Sequence, residues 1–330
     1  MNKQIFISDT HFGVRNNSIS WLESQKNFIY NQFIPYVKKL GKNNYVRVFH
    51  LGDVFDSRSS ISPMICKETN KMLEDIAEVC DTLTVIAGNH DFFSPIEGSD
   101  NSTSLEMLPC RWKQDNNIKI ITNDCMCYDR KAVCIPWFDF HNPKKLQVIL
   151  SKYHEVDMIF THTDTEHLDK DIQSIVGKRS IVTGHIHIPL LLPKQHHYTL
   201  GSCYSLNYAD ANSERGFYVM TDWDLSTIEF VPNTESIRFY RINGDEVPEM
   251  DFEPKDYIEF TLKEDVYNQP NMQEAIKNYY TKYPHFSVVV EQQHIEIESL
   301  DEDLGIYNIV KRACPEHLHK KLEVVADDKN

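Results

Sequence analysis

Polar side chains able to hold a cation or move a proton fall in five short groups along the chain. They are Asp9 with His11, Asp53 with Asp56, Asn89 with His90 and Asp91, His162, and His185 with His187. Carboxylate and amide oxygens beside imidazole nitrogens suit manganese, iron or zinc. Each group has a plain reading on its own. Gly88-Asn89-His90-Asp91 could be an ordinary turn, because Gly, Asn and Asp are turn residues. Asp9 could cap a turn, and His185 with His187 could be an exposed pair. Their ordered recurrence is harder to dismiss. Mixed donors in this number exceed what one ion needs, so two ions are implied. A pair of ions suits in-line displacement at phosphorus.

Every group closes an apolar, β-branched stretch that reads as a strand: residues 3–8, 46–51, 83–87, 156–160 and 180–183. Gly52, Gly88 and Gly184 stand at three of these ends and let the backbone turn. Open α/β sheets bind ligands at the C-terminal ends of their strands. The pattern therefore predicts an α/β fold in which one edge of a parallel sheet carries all five groups. His50 lies within its strand and reads as structural.

Other stretches supply the frame. Leu22, Phe28, Ile29, Phe33 and Val37 recur at helical spacing, with Pro35 kinking or offsetting the run. Ser62-Pro63 opens a helix reaching about Cys80, whose face of Ile65, Met72, Leu73 and Ile76 is either core or a dimer contact. Residues 118–122 and 132–136 read as a strand pair across a turn near Asp129. Residues 143–153 read as a short helix. Strands are expected at 196–201, 216–222 and 227–231. Acidic, proline-spaced sequence then reads as a linker, followed by a compact β-α-β pattern over 257–291. Residues 304–325 have helical spacing interrupted by Pro315. The expected units are 1–232, 233–300 and 301–330.

Composition narrows the class. The 330 residues suffice for one large domain and a smaller one. A hydrophobic share of 41% supports a core, and the mean hydropathy of −0.46 argues for a soluble chain. No apolar stretch is long enough to span a membrane. The first residues lead straight into a strand, so no signal peptide is expected. The eight cysteines are scattered, and Cys125-Met126-Cys127 has no matching second pair. Free thiols in a reducing cytoplasm are the expectation. The net charge of −15 comes with no basic stripe for a polynucleotide, so either the substrate is not a polynucleotide or bound metals and a partner supply positive charge.

Taken together, Asp9-Thr10-His11, Gly52-Asp53-Val54-Phe55-Asp56, Gly88-Asn89-His90-Asp91, His162 and Gly184-His185-Ile186-His187 resemble the calcineurin-like metallophosphoesterase superfamily. Three stretches resemble its SbcD/Mre11 branch. They are the opening run Ile7 to Gly13, the pair Gly201-Ser202 with Arg215-Gly216-Phe217, and the region around Tyr257-Ile258-Glu259-Phe260. In length the chain is similar to the bacterial members of that branch and to those of T4-type bacteriophages. Asp56 also resembles those members, since the archaeal and eukaryotic ones have His at that position.

The resemblance implies a metallophosphoesterase β-sandwich flanked by helices, a small α+β capping domain and a helical C-terminal tail. It implies one ion held by Asp9, His11, Asp53 and His187. Asp53, Asn89, His162 and His185 would hold a second, with Asp53 bridging. Manganese is the expected metal, and magnesium is possible. His90 would protonate the leaving sugar oxygen or orient the scissile phosphate, and Asp56 would fix its tautomer. His167 lies close enough in sequence to compete with His162. The implied activity is a DNA exonuclease and endonuclease acting at ends. The implied partners are DNA and an SbcC/Rad50-type ATPase, with the nuclease dimerising within a heterotetramer. Competing expectations are a small-molecule or protein phosphoesterase of the same superfamily and a non-catalytic scaffold for an ATPase.

Overall fold

The computed structural model describes residues 1–93, 102–112, 117–244 and 251–291. Strands β1 (Asn2–Ile7), β2 (Tyr45–His50), β3 (Thr82–Ile86) and β4 (Ile118–Ile121) run parallel side by side. A second sheet is built from β5 (Met126–Tyr128), β6 (Ala132–Cys134), β7 (Met158–His162), β8 (Ser180–Gly184), β9 (Leu190–Leu192) and β10 (His197–Thr199). Its order is β5-β6-β7-β8-β10-β9, parallel except at the two edges. The chain then returns to the first sheet as β11 (Gly216–Thr221) and β12 (Asp224–Pro232), which run antiparallel beyond β1.

Period-two alternation sorts the core into layers. Phe6 and Phe49 leave one face of the first sheet and meet Phe160 of the second, with ring centroids 5.1 and 5.0 Å apart. Ile5, Val48 and Val85 leave the opposite face and pack on the helices that carry Leu22, Phe28 and Ile65. On the far side of the second sheet, Val133, Ile159 and Ile181 pack on Leu146 and Ile172 of the helices Pro143–Lys152 and Lys170–Val176. The result is the expected helix-flanked β-sandwich.

Several local expectations change. The ligand-bearing strand ends are shared between the two sheets and do not lie along one edge. Residues 118–122 and 132–136 do not pair. The former add β4 to the first sheet, while β6 pairs with β5 across the left-handed turn at Asp129 and Arg130. Three-residue β5 is too short to stand out as a strand by alternation. The 20–40 run is helix Ile19–Asn27, a π-turn over Phe28–Phe33 and helix Ile34–Gly41. The widened turn sits just before Pro35, which lacks an N–H and would crowd the carbonyl of an ideal α-turn. Helix Pro63–Ala77 is capped by the Ser62 hydroxyl, which accepts the Ile65 N–H at 3.2 Å. Its Ile65, Met72, Leu73 and Ile76 are all buried core, while Pro63 and Met64 at its start are exposed.

The described residues divide into two compact units, those within Met1–Arg241 and Phe252–Ile258, and those within Ile242–Asp251 and Glu259–Asn330. A three-stranded sheet, β13 (Phe239–Asn243), β14 (Tyr257–Lys263) and β15 (Phe286–Glu291), belongs to this part of the chain. In the second unit the rings of Tyr279 and Phe286 close on Phe260, and Ile276 of helix Pro270–Lys282 is buried. The expected tail, with Leu304, Ile309 and Leu322, lies outside the described residues.

Candidate metal centre

Where the strands stop, the backbone bends sharply. Asp9, His11, Asp53 and His185 have φ of 53, 42, 53 and 83°, a left-handed conformation that non-glycine residues adopt at a cost. Backbone hydrogen bonds hold the bends. The Asp9 N–H donates to the Gly52 carbonyl at 3.1 Å and the His11 N–H to the Asp53 carbonyl at 3.0 Å. Two glycines make the space. Gly52 has φ of 103°, and a Cβ there would fall 2.5 Å from His162 Nδ1. A Cβ on Gly88 would collide with the Asp53 carboxylate.

The turns bring all seven expected ligands together. Asp9, His11 and His187 form one group, and Asp53, His162 and His185 another, each with its ligand atoms within 4.8 Å of one another. Asn89 Oδ1 joins the second, 3.0 Å from His162 Nε2 and 2.9 Å from His185 Nδ1. Asp53 Oδ2 reaches both sides, at 3.2 Å from His162 Nε2 and 3.8 Å from His11 Nε2. A third grouping, His11 with Asp53 and His90, is also close enough to share an ion. His167 is not in the cluster. It is exposed and pairs with Asp164 at 2.7 Å, whereas His162 is fully buried.

The donor set fits a cation. His162 Nδ1 bonds the Leu51 carbonyl at 2.7 Å and so must carry hydrogen. Its Nε2 then faces Asn89 and Asp53 oxygens, which accept only. A second proton or a metal must sit between them. The backbone contact is the one that usually orients a metal-binding imidazole. His11 Nε2 and His187 Nε2 likewise face each other at 3.2 Å. Without metal, burial works against a charged His162 ring. The Asp53 carboxylate, at contact distance, outweighs it and pushes the ring up to about 9. The same pairing, against the opposing effect of burial, holds the Asp53 carboxyl well below the usual range.

His90 sits at the rim of the cluster, its ring 5.0 Å from that of His11. Its backbone N–H donates to Asp53 Oδ1 at 2.8 Å. Its Nδ1 meets the backbone carbonyl of Asp56 at 2.7 Å. The Asp56 carboxylate does not turn to His90, as the resemblance implied. It points at His11 Nδ1, 3.5 Å away. The main chain at Asp56 already satisfies His90, because Phe12 and Phe55 are bridged and the Asp56 N–H donates to the Phe12 carbonyl.

Two supporting residues carry roles that the motifs did not assign. Asp91 is fully buried and accepts N–H groups from Gly88, Val54 and Phe55 at 2.9–3.3 Å, tying the β2 and β3 turns together. Arg215 is buried, pairs with Asp210 at 2.9 Å, and donates to the His187 carbonyl. Its place in a strand-like Arg-Gly-Phe run was visible, but nothing in the spacing aimed it at His187.

Metal-type donors converge from two packed sheets on one site, an arrangement that suits a metal-dependent hydrolase. Residues 3–189 match the model of the calcineurin-like phosphoesterases, and the chain belongs to that family. Solved structures similar to it include nuclease MPE of Pseudomonas putida, at 12% identity over 69% of this chain and 87% of that one, with a TM-score of 0.29. NAD nucleotidase NadN of Haemophilus influenzae is similar at 11% identity over 87% of this chain and 57% of that one, with a TM-score of 0.34. No curated protein sequence matches.

Proposed function

We propose that the chain is a two-metal DNA nuclease, cutting phosphodiester bonds at DNA ends. In this reading it serves as the nuclease subunit of an SbcCD/Mre11-Rad50-type repair and recombination complex. The observation that carries the hydrolytic part is the single cluster of Asp9, His11, Asp53, Asn89, His162, His185 and His187 with His90 at its rim. The DNA and ATPase parts rest on the SbcD/Mre11 resemblance of the sequence.

Asp9, His11, Asp53 and His187 would hold one divalent ion, manganese by preference, and Asp53, Asn89, His162 and His185 the other. Bound ions would supply a water of lowered pKa and neutralise charge on the phosphoryl oxygens. The protein's own part is placement. The Asp56 carbonyl fixes Nδ1–H of His90, which leaves Nε2 to carry a proton to the departing sugar oxygen. Asp53, held by the His90 N–H, keeps its second oxygen for the ligand cluster. Phosphate contacts that release counterions would come from the ATPase partner and the ions, since the chain itself carries −15.

That charge favours one competing substrate class, a small phosphoester. End-labelled duplex DNA and a small phosphodiester, incubated with manganese and with or without the ATPase, separate the two. The nuclease reading expects manganese-dependent shortening of the DNA, increased by the ATPase with ATP. Turnover of the small ester alone would contradict it.

A further inference from the structure

Beside the metal cluster lies a cavity of about 540 Å³ that the hydrolytic account does not use. Its walls include Trp137, Phe138, His141, Asn142, Lys144 and Asp171. Trp137, Phe138 and Asn142 are half-buried, while His141, Lys144 and Asp171 are exposed. The volume falls within the range of small-ligand sites.

The cavity is fastened to the reactive turns from two directions. The Trp137 N–H donates to the carbonyl of Ala87 at 2.9 Å, two residues before Asn89. The ring of Phe92, two residues after His90, packs on Phe138 at 5.9 Å and on Trp137 at 6.4 Å. From the other sheet, Thr163 Oγ1 meets His141 Nε2 at 3.1 Å, next to His162. His141 and Trp137 lie ring on ring at 5.0 Å with a tilt of 37°.

The chemistry of the walls is that of a flat heterocycle's partner. Indole, phenyl and imidazole rings line it, and aromatic walls of this kind are what a base stacks on. Asn142 spends its side-chain oxygen capping the helix at Lys145 N–H, so its amide hydrogens stay available for a ring acceptor. Lys144 makes no ion pair among the described residues, whereas Lys145 is engaged by Asp139.

We infer that this cavity is a nucleobase subsite, which receives the base of the nucleotide whose phosphate lies at the metal cluster. The inference rests on the nuclease reading for the identity of the substrate and adds where the base goes. Stacking of this kind tolerates any base, which suits an enzyme that digests DNA without regard to sequence.

Direct titration tests it without turnover. Deoxyadenosine 5′-monophosphate and 2-deoxyribose 5-phosphate are titrated into the full chain under the same metal conditions. The base should improve binding by about tenfold or more, the usual worth of one stacked base. Trp137→Ala should lose most of that advantage. His141→Ala, at an exposed position, should lose part of it and guards against a folding defect at Trp137. Equal binding of the two ligands by the wild type overturns the subsite, as does an unchanged advantage in the folded variants. A base advantage without any manganese-dependent DNA cleavage would remove the nuclease reading and leave the subsite standing.

Discussion

Asp53 Oδ2 and His162 Nε2 lie 3.2 Å apart although they come from different sheets. Asp53 follows β2 of the first sheet, and His162 ends β7 of the second. The same carboxylate oxygen faces His11, which follows β1, at 3.8 Å. One side chain therefore touches ligand groups from both rims of the sandwich, the position a bridging ligand requires. Both residues are buried, so neither charge is well solvated unless the other or a cation compensates it.

His90 and Asp56 should separate into two phenotypes. His90→Ala is expected to keep its metal and to lose cleavage by roughly 10²–10⁴, the usual worth of general acid–base help. Asp56→Asn retains the backbone carbonyl that holds His90 but loses the charge near His11. It should weaken metal affinity by about tenfold or more, with cleavage at saturating metal nearly unchanged. Metal titration beside kinetics at saturating manganese checks both. Metal loss in His90→Ala would make His90 a ligand.

Gly88→Ala places a methyl group against the Asp53 carboxylate. The site should fail before the fold does. Metal affinity is expected to drop by roughly tenfold or more while the circular dichroism spectrum stays unchanged. Undiminished affinity would mean that the β2 and β3 turns can separate, contrary to the Asp91 clamp.

His50 provides the acid-sensitive element. It is fully buried, bonded to Thr10 Oγ1 at 2.9 Å, and burial pushes its imidazole down to about 4. The unfolded chain takes up this proton near pH 6.5 and the folded chain only near pH 4. Stability from His50 is thus complete above pH 6.5 and is lost as pH falls toward 4, by an amount on the order of 3 kcal/mol. Urea midpoints of metal-free wild type and His50→Gln at pH 7.5, 6.0 and 4.5 should converge as the pH falls. Parallel decline would show that His50 does not set the acid limit.

The sequence after residue 299 supports a prediction of its own. Leu304, Ile306, Ile309, Leu318, Leu322 and Val325 recur at near-helical spacing around Pro315. Spacing alone fits packing back on the second unit equally well; within the proposed complex, the SbcD/Mre11 resemblance gives this segment helix-in-groove docking on the ATPase partner. Ending the chain after Ser299 should leave manganese-dependent cleavage of short DNA intact and abolish ATP stimulation and co-purification with the ATPase. Unchanged affinity for the ATPase would place docking elsewhere.

The site was more legible than the layers that build it. Strand, glycine and polar turn recur at Gly52, Gly88 and Gly184, and chemistry at strand ends needs that grammar. What the spacing could not carry was the sheet assignment. Parallel strands read as similar apolar runs whichever sheet they join, so residues 118–122 and 132–136 looked like neighbours. Orientation was also hidden. Asp56 and Phe55 follow a left-handed Asp53, and one such residue redirects every side chain after it. Ile65, Met72 and Ile76 show the same limit, since a helical stripe has the same spacing whether it faces a core or a second chain.

Metal content of the manganese-loaded protein tests the central claim most directly. The arrangement around Asp53 predicts about two ions per chain, falling to about one or fewer in Asp53→Asn. One ion per chain in the wild type, unchanged by Asp53→Asn, would contradict it.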